Sequence, residues 1–400
     1  MLYYKKVCYN NLYIIYIQSM SLFHKNDSYL GIDIGAHGIK VVELRKFKGR
    51  PQLWTYGIAD HEIDIHMSEM KDKTPEELVE EEKIVGKKVK KGDSSISGGT
   101  FGADDPRVDK YAELLKNVLE KAKTTTRRVT ASLPVSHIFH AIVTLPLVNE
   151  NEVDTIIQAE LKKVLNRPVE EMQIVHQQIP DELAKQKKYM RVLVTAAPKV
   201  LVEFYSAIFA RAGLELRELE TEALAIERSL VGRDTSTMMV VDVGAERTNF
   251  FIIDQGLPMT HRSVQIGGDT INNILSGRLG VGGDIVEQVK TDTSRLDWTK
   301  INTSLFDSVT GPVVKEIEYS FDLFLSQLGN QNKRPEKIVL TGGSSFFPLL
   351  KQQIEKHFEM KVFVGDPWAR VVYQQDLKVL LDSIGPRMAV SIGLALRNII

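Results

Sequence analysis

Residues 30–44, "LGIDIGAHGIKVVEL", decide the fold. Apolar residues alternate up to one acidic residue, Asp33. The turn Gly35-Ala36-His37-Gly38 follows, and a second apolar run returns. The pattern predicts strand, tight glycine turn, strand. Residues 239–253, "MVVDVGAERTNFFII", repeat it without gaps, placing Asp33 on Asp242, Gly35 on Gly244 and Ala36 on Ala245. A repeat at half the chain length predicts duplicated domains facing each other, not a solenoid of short units.

The two aspartates point to chemistry. Each sits where alternation predicts a core-side or cleft-side position, and a buried unpaired carboxylate is expensive. The cost falls if both face a shared cleft holding a hydrated divalent cation. Mg2+ keeps several waters and is commonly held by one or two carboxylates plus substrate phosphates. Glycine turns let backbone N–H groups approach phosphate oxygens. "VLTGGSS", with Gly342 and Gly343 at a strand end, and "QIGGDT", with Gly267 and Gly268, add two further close-approach loops. Together the four stretches predict nucleotide binding.

Composition sets the bounds. At 400 residues the chain suggests two domains. With 43% hydrophobic and 26% charged residues it reads as globular. The net charge of −1 gives no general electrostatic reason to bind nucleic acid or an anionic membrane. The one cysteine, Cys8, permits no intramolecular disulfide and excludes cysteine-based zinc sites, and a reducing compartment fits. The nine histidines show no HExxH spacing.

Residues 1–27 read as an N-terminal extension, disordered or an over-extended start with Met20 as the natural one. A β-forming or membrane-touching extension is the alternative. The apolar run Leu12 to Ile17 is too short to span a bilayer, and no later segment resembles a transmembrane helix. A first domain is expected over 28–236 and a second over 237–400. Residues 60–107, charged and glycine-rich, read as a solvated, partly disordered insertion. Helices are expected over 108–123 and 149–165, from Pro198 to Gly213, and over about 310–328. Residues about 135–197 read as an inserted α+β module.

The ordered set resembles the actin-like ATPase superfamily, which implies an α/β, duplicated ribonuclease-H-like two-domain fold with a small inserted α+β subdomain. Asp33 to Lys40 resembles its first phosphate loop and Asp242 to Asn249 its second. The resemblance implies that Asp33, Gly35, Ala36, His37, Gly38 and Lys40, with Asp242, Gly244, Ala245, Thr248 and Asn249, surround ATP. Asp33 and Asp242 would act on Mg2+ through water. Gly342, Gly343 and Ser344 resemble the adenosine loop, with Gly267 and Gly268 nearby, and Glu287 and Lys290 are implied beside the base and ribose. "LRELETEALAIERSL" resembles the first connecting helix, which places Glu220 and Glu222 near the attacking water. Residues 385–396 resemble the second connecting helix.

Within that superfamily the chain resembles PilM, on "GIDIGAHGIKVVEL", "RVTASLPVSHIFHAIVTLP", "NENEVDTIIQAELKKVLNRPVEEMQIVHQQI" and "VVDVGAERTNFFIIDQG". This implies a cytoplasmic ATP-binding adaptor of type IV pilus assembly, peripheral to the inner membrane through a partner. A groove within 130–197 would hold the N-terminal tail of a PilN-like inner-membrane protein. Other pilus-assembly components are implied partners, and self-association stays open. An FtsA-like cell-division protein is the alternative, although its usual terminal amphipathic helix has no counterpart. Ala36, His37 and Gly38 replace the usual small hydroxyl residues, with His37 read as a solvated turn residue. Glu246 and Arg247 also depart from the pattern, so slow ATP turnover at most is expected.

Overall fold

The computed structural model describes residues 7–9, 12–15, 28–61, 63, 102–165, 167–179, 189–280, 282, 285–286, 288, 290, 303–327 and 329–400. Most of the charged stretch 60–107, and Glu287, lie outside these residues.

In the first half, β1 (Val7–Tyr9) and β2 (Leu12–Ile15) precede a meander of β3 (Ser28–Gly35), β4 (Gly38–Phe47) and β5 (Arg50–Ala59). Helix α1 (Arg107–Ala122) leads into β6 (Arg128–Leu133). Then come β7 (Phe139–Pro146), α2 (Glu150–Val164), β8 (Met172–Ile179) and β9 (Tyr189–Pro198). Helix α3 (Lys199–Arg211) and β10 (Glu215–Thr221) close this half, and α4 (Glu222–Ile226) leaves it.

The second half holds β11 (Met238–Val243), β12 (Thr248–Asp254), β13 (Leu257–Val264), α5 (Gly268–Leu279) and α6 (Asp307–Ser326). It continues with β14 (Lys337–Thr341), α7 (Pro348–Phe358), β15 (Lys361–Val364), α8 (Lys378–Ile384) and α9 (Ala389–Leu396).

The first sheet runs β1-β2-β5-β4-β3-β6-β10 and the second β13-β12-β11-β14-β15. Without the β1–β2 edge the two follow one path: an antiparallel meander, then two parallel strands on the side of its first strand. Strand β2 pairs with β5, so part of the N-terminal extension adds to the sheet instead of lying outside it.

Local chemistry explains the elements. Asn149 caps α2, and the Glu152 carboxylate accepts from the Asn149 backbone N–H at 3.2 Å, a capping box. In α1, Val108, Tyr111, Leu115 and Val118 recur at helical spacing and are buried. Leu30, Ile32 and Ile34 of β3 pack with them and with Phe204, Tyr205 and Ile208 of α3. Met239, Val241 and Val243 of β11 face the core of the second half.

The opposite pleats place the site. Gly31 has no side chain because one would collide with the Ser391 carbonyl of α9. Gly393 of α9 is pressed in the same way onto the Ala225 carbonyl of α4. Met238 and Val240 of β11 join Ala223, Ile226 and Leu394 in one apolar cluster. Helices α4 and α9 therefore lie between the sheets, and the strand faces carrying Asp33 and Asp242 both look into that layer. Residues 375–396 are long and apolar enough to cross a membrane by composition alone, yet 67% of their apolar 18-residue window is buried in the fold.

Candidate functional site

The two hairpins end in matched pairs. Asp33 stands opposite Lys40 across β3–β4, and Asp242 opposite Asn249 across β11–β12. Lys40 Nζ lies 3.0 Å from Asp33 Oδ2, and Asn249 Nδ2 lies 3.5 Å from Asp242 Oδ2. The gapless repeat thus preserves a carboxylate–donor pair, charged in the first copy and neutral in the second. Gly35 makes room for it, since a Cβ there would stand 2.8 Å from Lys40 Nζ. Gly38 adopts φ +129, where a side chain would be strained and would strike the Ala59 carbonyl. Ala36 accepts from the Ile63 N–H at 2.6 Å, which closes the turn.

Three carboxylates converge here. Asp33 is 5% exposed and also accepts from Ser132 Oγ at 2.9 Å. Burial, then the Asp33 charge, pushes the Asp242 carboxyl up to about 6, against the Asn249 hydrogen bond and the Lys40 ammonium. Burial, with the charges of Asp33 and Asp242, pushes Glu222 well above the usual carboxylate range. Glu222 opens α4, whose N-cap Thr221 accepts from the Leu224 N–H. The Asn249 Oδ1 is buried with no protein partner. Among the described residues, no three His, Cys, Asp or Glu side chains form a direct metal cage.

Glu220 differs from the expectation. Both of its oxygens are taken by Arg228 at 2.9 Å, and Oε2 also by Arg397 at 2.7 Å. It anchors β10 to the turn after α4 and to the chain beyond α9, so Glu222 alone of the two is directed at the aspartates. Thr248 is corrected too: it is fully buried and its hydroxyl donates to the Ile266 carbonyl at 2.7 Å. That bond fixes the approach to Gly267 and Gly268.

The second-half glycines act by making room. The N–H groups of Gly244, Gly268, Gly342 and Ser344 donate to the carbonyls of Arg247, Gly244, Pro386 and Val243. They are spent within the protein. Their lack of side chains is what matters. A Cβ on Gly342, at φ +87, would stand 2.5 Å from Asp242 Oδ1. One on Gly267 would strike the Ala245 carbonyl, and one on Gly268 would strike Ser344 Oγ and stand 3.2 Å from Lys290 Nζ. Lys290 and Ser344 thus meet over Gly268, and both are buried. Gly343 lies under Arg387, whose Cγ would stand 3.9 Å from a Cβ there.

Besides the pairs of Arg397 with Glu218 and Glu220, two further contacts join the halves at the cleft. His37 Nε2 lies 2.9 Å from Asp269 Oδ2 in the first turn of α5, so this partly exposed turn residue also has a partner across the cleft. Arg387 pairs with Asp60, which follows β5. Ser132, Asp269, Asp60 and Arg387 were not among the residues expected at the site. The strand "RVTASLP" and the acidic residue of "QIGGDT" held the signal for the first two. Nothing local marks the last pair.

A family model described as type IV pilus assembly protein PilM matches residues 102–399. Among solved structures, one described as the PilM-PilN type IV pilus biogenesis complex aligns at 20% identity. It covers 93% of this chain and 98% of its own, with a TM-score of 0.71, and shows the fold. The ethanolamine utilization protein EutJ from Carboxydothermus hydrogenoformans aligns at 13% identity over 92% of this chain and 89% of its own, with a TM-score of 0.47.

Proposed function

The chain belongs to the family of the type IV pilus assembly protein PilM and has the actin-like two-domain fold; from that premise we propose that it is a cytoplasmic adaptor binding ATP with Mg2+. We assign it the N-terminal tail of a PilN-like inner-membrane protein as partner.

The observation that carries the nucleotide reading is the convergence of Asp33, Asp242 and Glu222 on one cleft with a single lysine, Lys40, among them. Burial, then the neighbouring charges, pushes the Asp242 and Glu222 carboxyls up, and a bound cation would offset that cost. With no direct cage among the described residues, that cation would be held through water and phosphate oxygens, as Mg2+ favours. Mg2+ would neutralise phosphate charge. Lys40 and Lys290 would face the phosphates and ribose, and Gly342 and Gly268 would let the nucleotide lie against the backbone. Glu222 would orient a water at the γ-phosphate, and the missing hydroxyl residues at Ala36, His37 and Gly38 would keep turnover slow at most.

The tail would bind at the module of β7, β8, β9 and α2. Its exposed Leu147, Val164 and Val175 offer apolar surface for a peptide to cover. His140 Nε2 lies 3.1 Å from the Pro258 carbonyl, which joins this module to the second half. A nucleotide that sets the angle between the halves would thereby bias the groove.

Calorimetric titration of the full chain with Mg-ATP tests the reading. Asp33→Asn should lose Mg-dependent binding while keeping its melting temperature. Retained affinity in that variant would overturn it. Titration with the partner's N-terminal peptide, with and without Mg-ATP, tests the adaptor role separately: absence of peptide binding in both states would remove that role and leave the nucleotide site standing.

A further inference from the structure

Ten-residue β4 carries the chain about 30 Å from the cleft to a second hairpin end. Phe47 and Arg50 pair across a two-residue loop, with Lys48 at φ 49 and Gly49 at φ 77. Both positive angles are those of a type I′ turn, which holds the tip in one shape. All five residues from Lys46 to Arg50 are exposed, and Phe47 is 56% exposed.

The charges at this tip are unspent. Among the described residues no carboxylate pairs with Lys46, Lys48 or Arg50. Arg45, one position earlier, is committed to Glu43 and lies 3.1 Å over the Trp54 ring. Lys48 Nζ leans over Phe47, 5.4 Å from the ring centroid. Phe47, Lys48, Arg50 and Gln52 border a hollow floored by Val372, itself 45% exposed. In a chain of net charge −1, three cations without a carboxylate partner among the described residues, set around an exposed aromatic ring and an apolar floor, form a local patch of opposite character to the whole.

We infer that this hairpin tip is a contact for a membrane surface of acidic phospholipid headgroups, with Lys46, Lys48 and Arg50 on the headgroup charges and Phe47 at the acyl boundary. The patch projects as a turn, a shape suited to a flat surface. The outer edge of β5 beside it is already closed, since Leu53 N–H donates to Val372 and Val372 N–H to Pro51 at 2.9 and 2.8 Å. An acidic peptide would therefore find no strand edge to join. Cations near an anionic bilayer add to affinity, and an aromatic ring at the interface adds a second, salt-insensitive share. The contact is weak alone and orients a protein already held at the membrane by a partner. It lies apart from the cleft and stands or falls independently of the nucleotide reading.

Flotation of the full-length protein at low salt with phosphatidylcholine vesicles, with and without about one-third phosphatidylglycerol, tests it. The protein should float with the anionic vesicles only, and salt should release most of it. Lys46→Gln, Lys48→Gln and Arg50→Gln combined should weaken binding roughly a hundredfold, about fivefold per cation, with melting temperature unchanged. Phe47→Ser should weaken the share that survives salt. Equal flotation of the triple variant, or equal binding to neutral vesicles, would overturn the inference. So would capture of the wild type by an acidic peptide alone.

Discussion

Glu220 and Glu222 stand two residues apart and should answer the same change in opposite ways. Glu220→Gln removes a charge that two guanidiniums share at 2.7–2.9 Å, with its side chain 5% exposed. Burial alone pushes Glu220 up, against the hydrogen bond and charge of Arg228, so the pair rests on geometry more than on net Coulomb gain. Breaking it leaves Arg228 and Arg397 facing each other, and loss of one partner of a buried pair costs about 3 kcal/mol or more. For a domain of this size that lowers the melting temperature by roughly 6–12 °C. Glu222→Gln removes a carboxylate that Asp33 and Asp242 repel, so stability should hold or rise while Mg-dependent ATP affinity and any turnover fall. Differential scanning fluorimetry beside Mg-ATP calorimetry on both variants reads the contrast. If Glu220→Gln kept its melting temperature and lost nucleotide, the assignment of the two glutamates would be wrong.

The two adjacent glycines should likewise separate. Gly267→Ala drives a methyl into the Ala245 carbonyl and should destabilise the fold, whereas Gly268→Ala meets the rotatable Ser344 hydroxyl and the far end of Lys290 and should cost nucleotide affinity with little change in melting temperature. Acid should weaken the contact between β7 and the second half. Burial first, then the charges of His140 and Arg262, holds His261 down to about 3, and its Nε2 is buried without a protein partner. A base depressed in the fold contributes stability that is fully present above its unfolded value of 6.5 and lost as pH falls below it. Between pH 7 and 5 the loss is about 2 kcal/mol, and His261→Gln should flatten that part of the melting-temperature profile. An unchanged slope would refute the assignment.

What the amino-acid sequence determined by itself is local and periodic. Alternation in 30–44 and 239–253, with a glycine turn in each, was enough to place both hairpins, both aspartates and the duplication, because a strand's two faces are written in every second residue. Helix spacing and the Asn149 cap located α1 and α2 within a residue or two. The tertiary structure decided which polar groups meet. Ser132 reaches Asp33 across 99 positions of chain, and Arg228 and Arg397 reach Glu220 across 8 and 177. His37 finds Asp269 only because the two halves close on each other. Thr248 was a reasonable phosphate ligand by type, yet its hydroxyl is spent on the Ile266 carbonyl in the loop between β13 and α5. Such partnerships depend on how two sheets stack on α4 and α9, a long-range outcome that no window of neighbouring residues encodes.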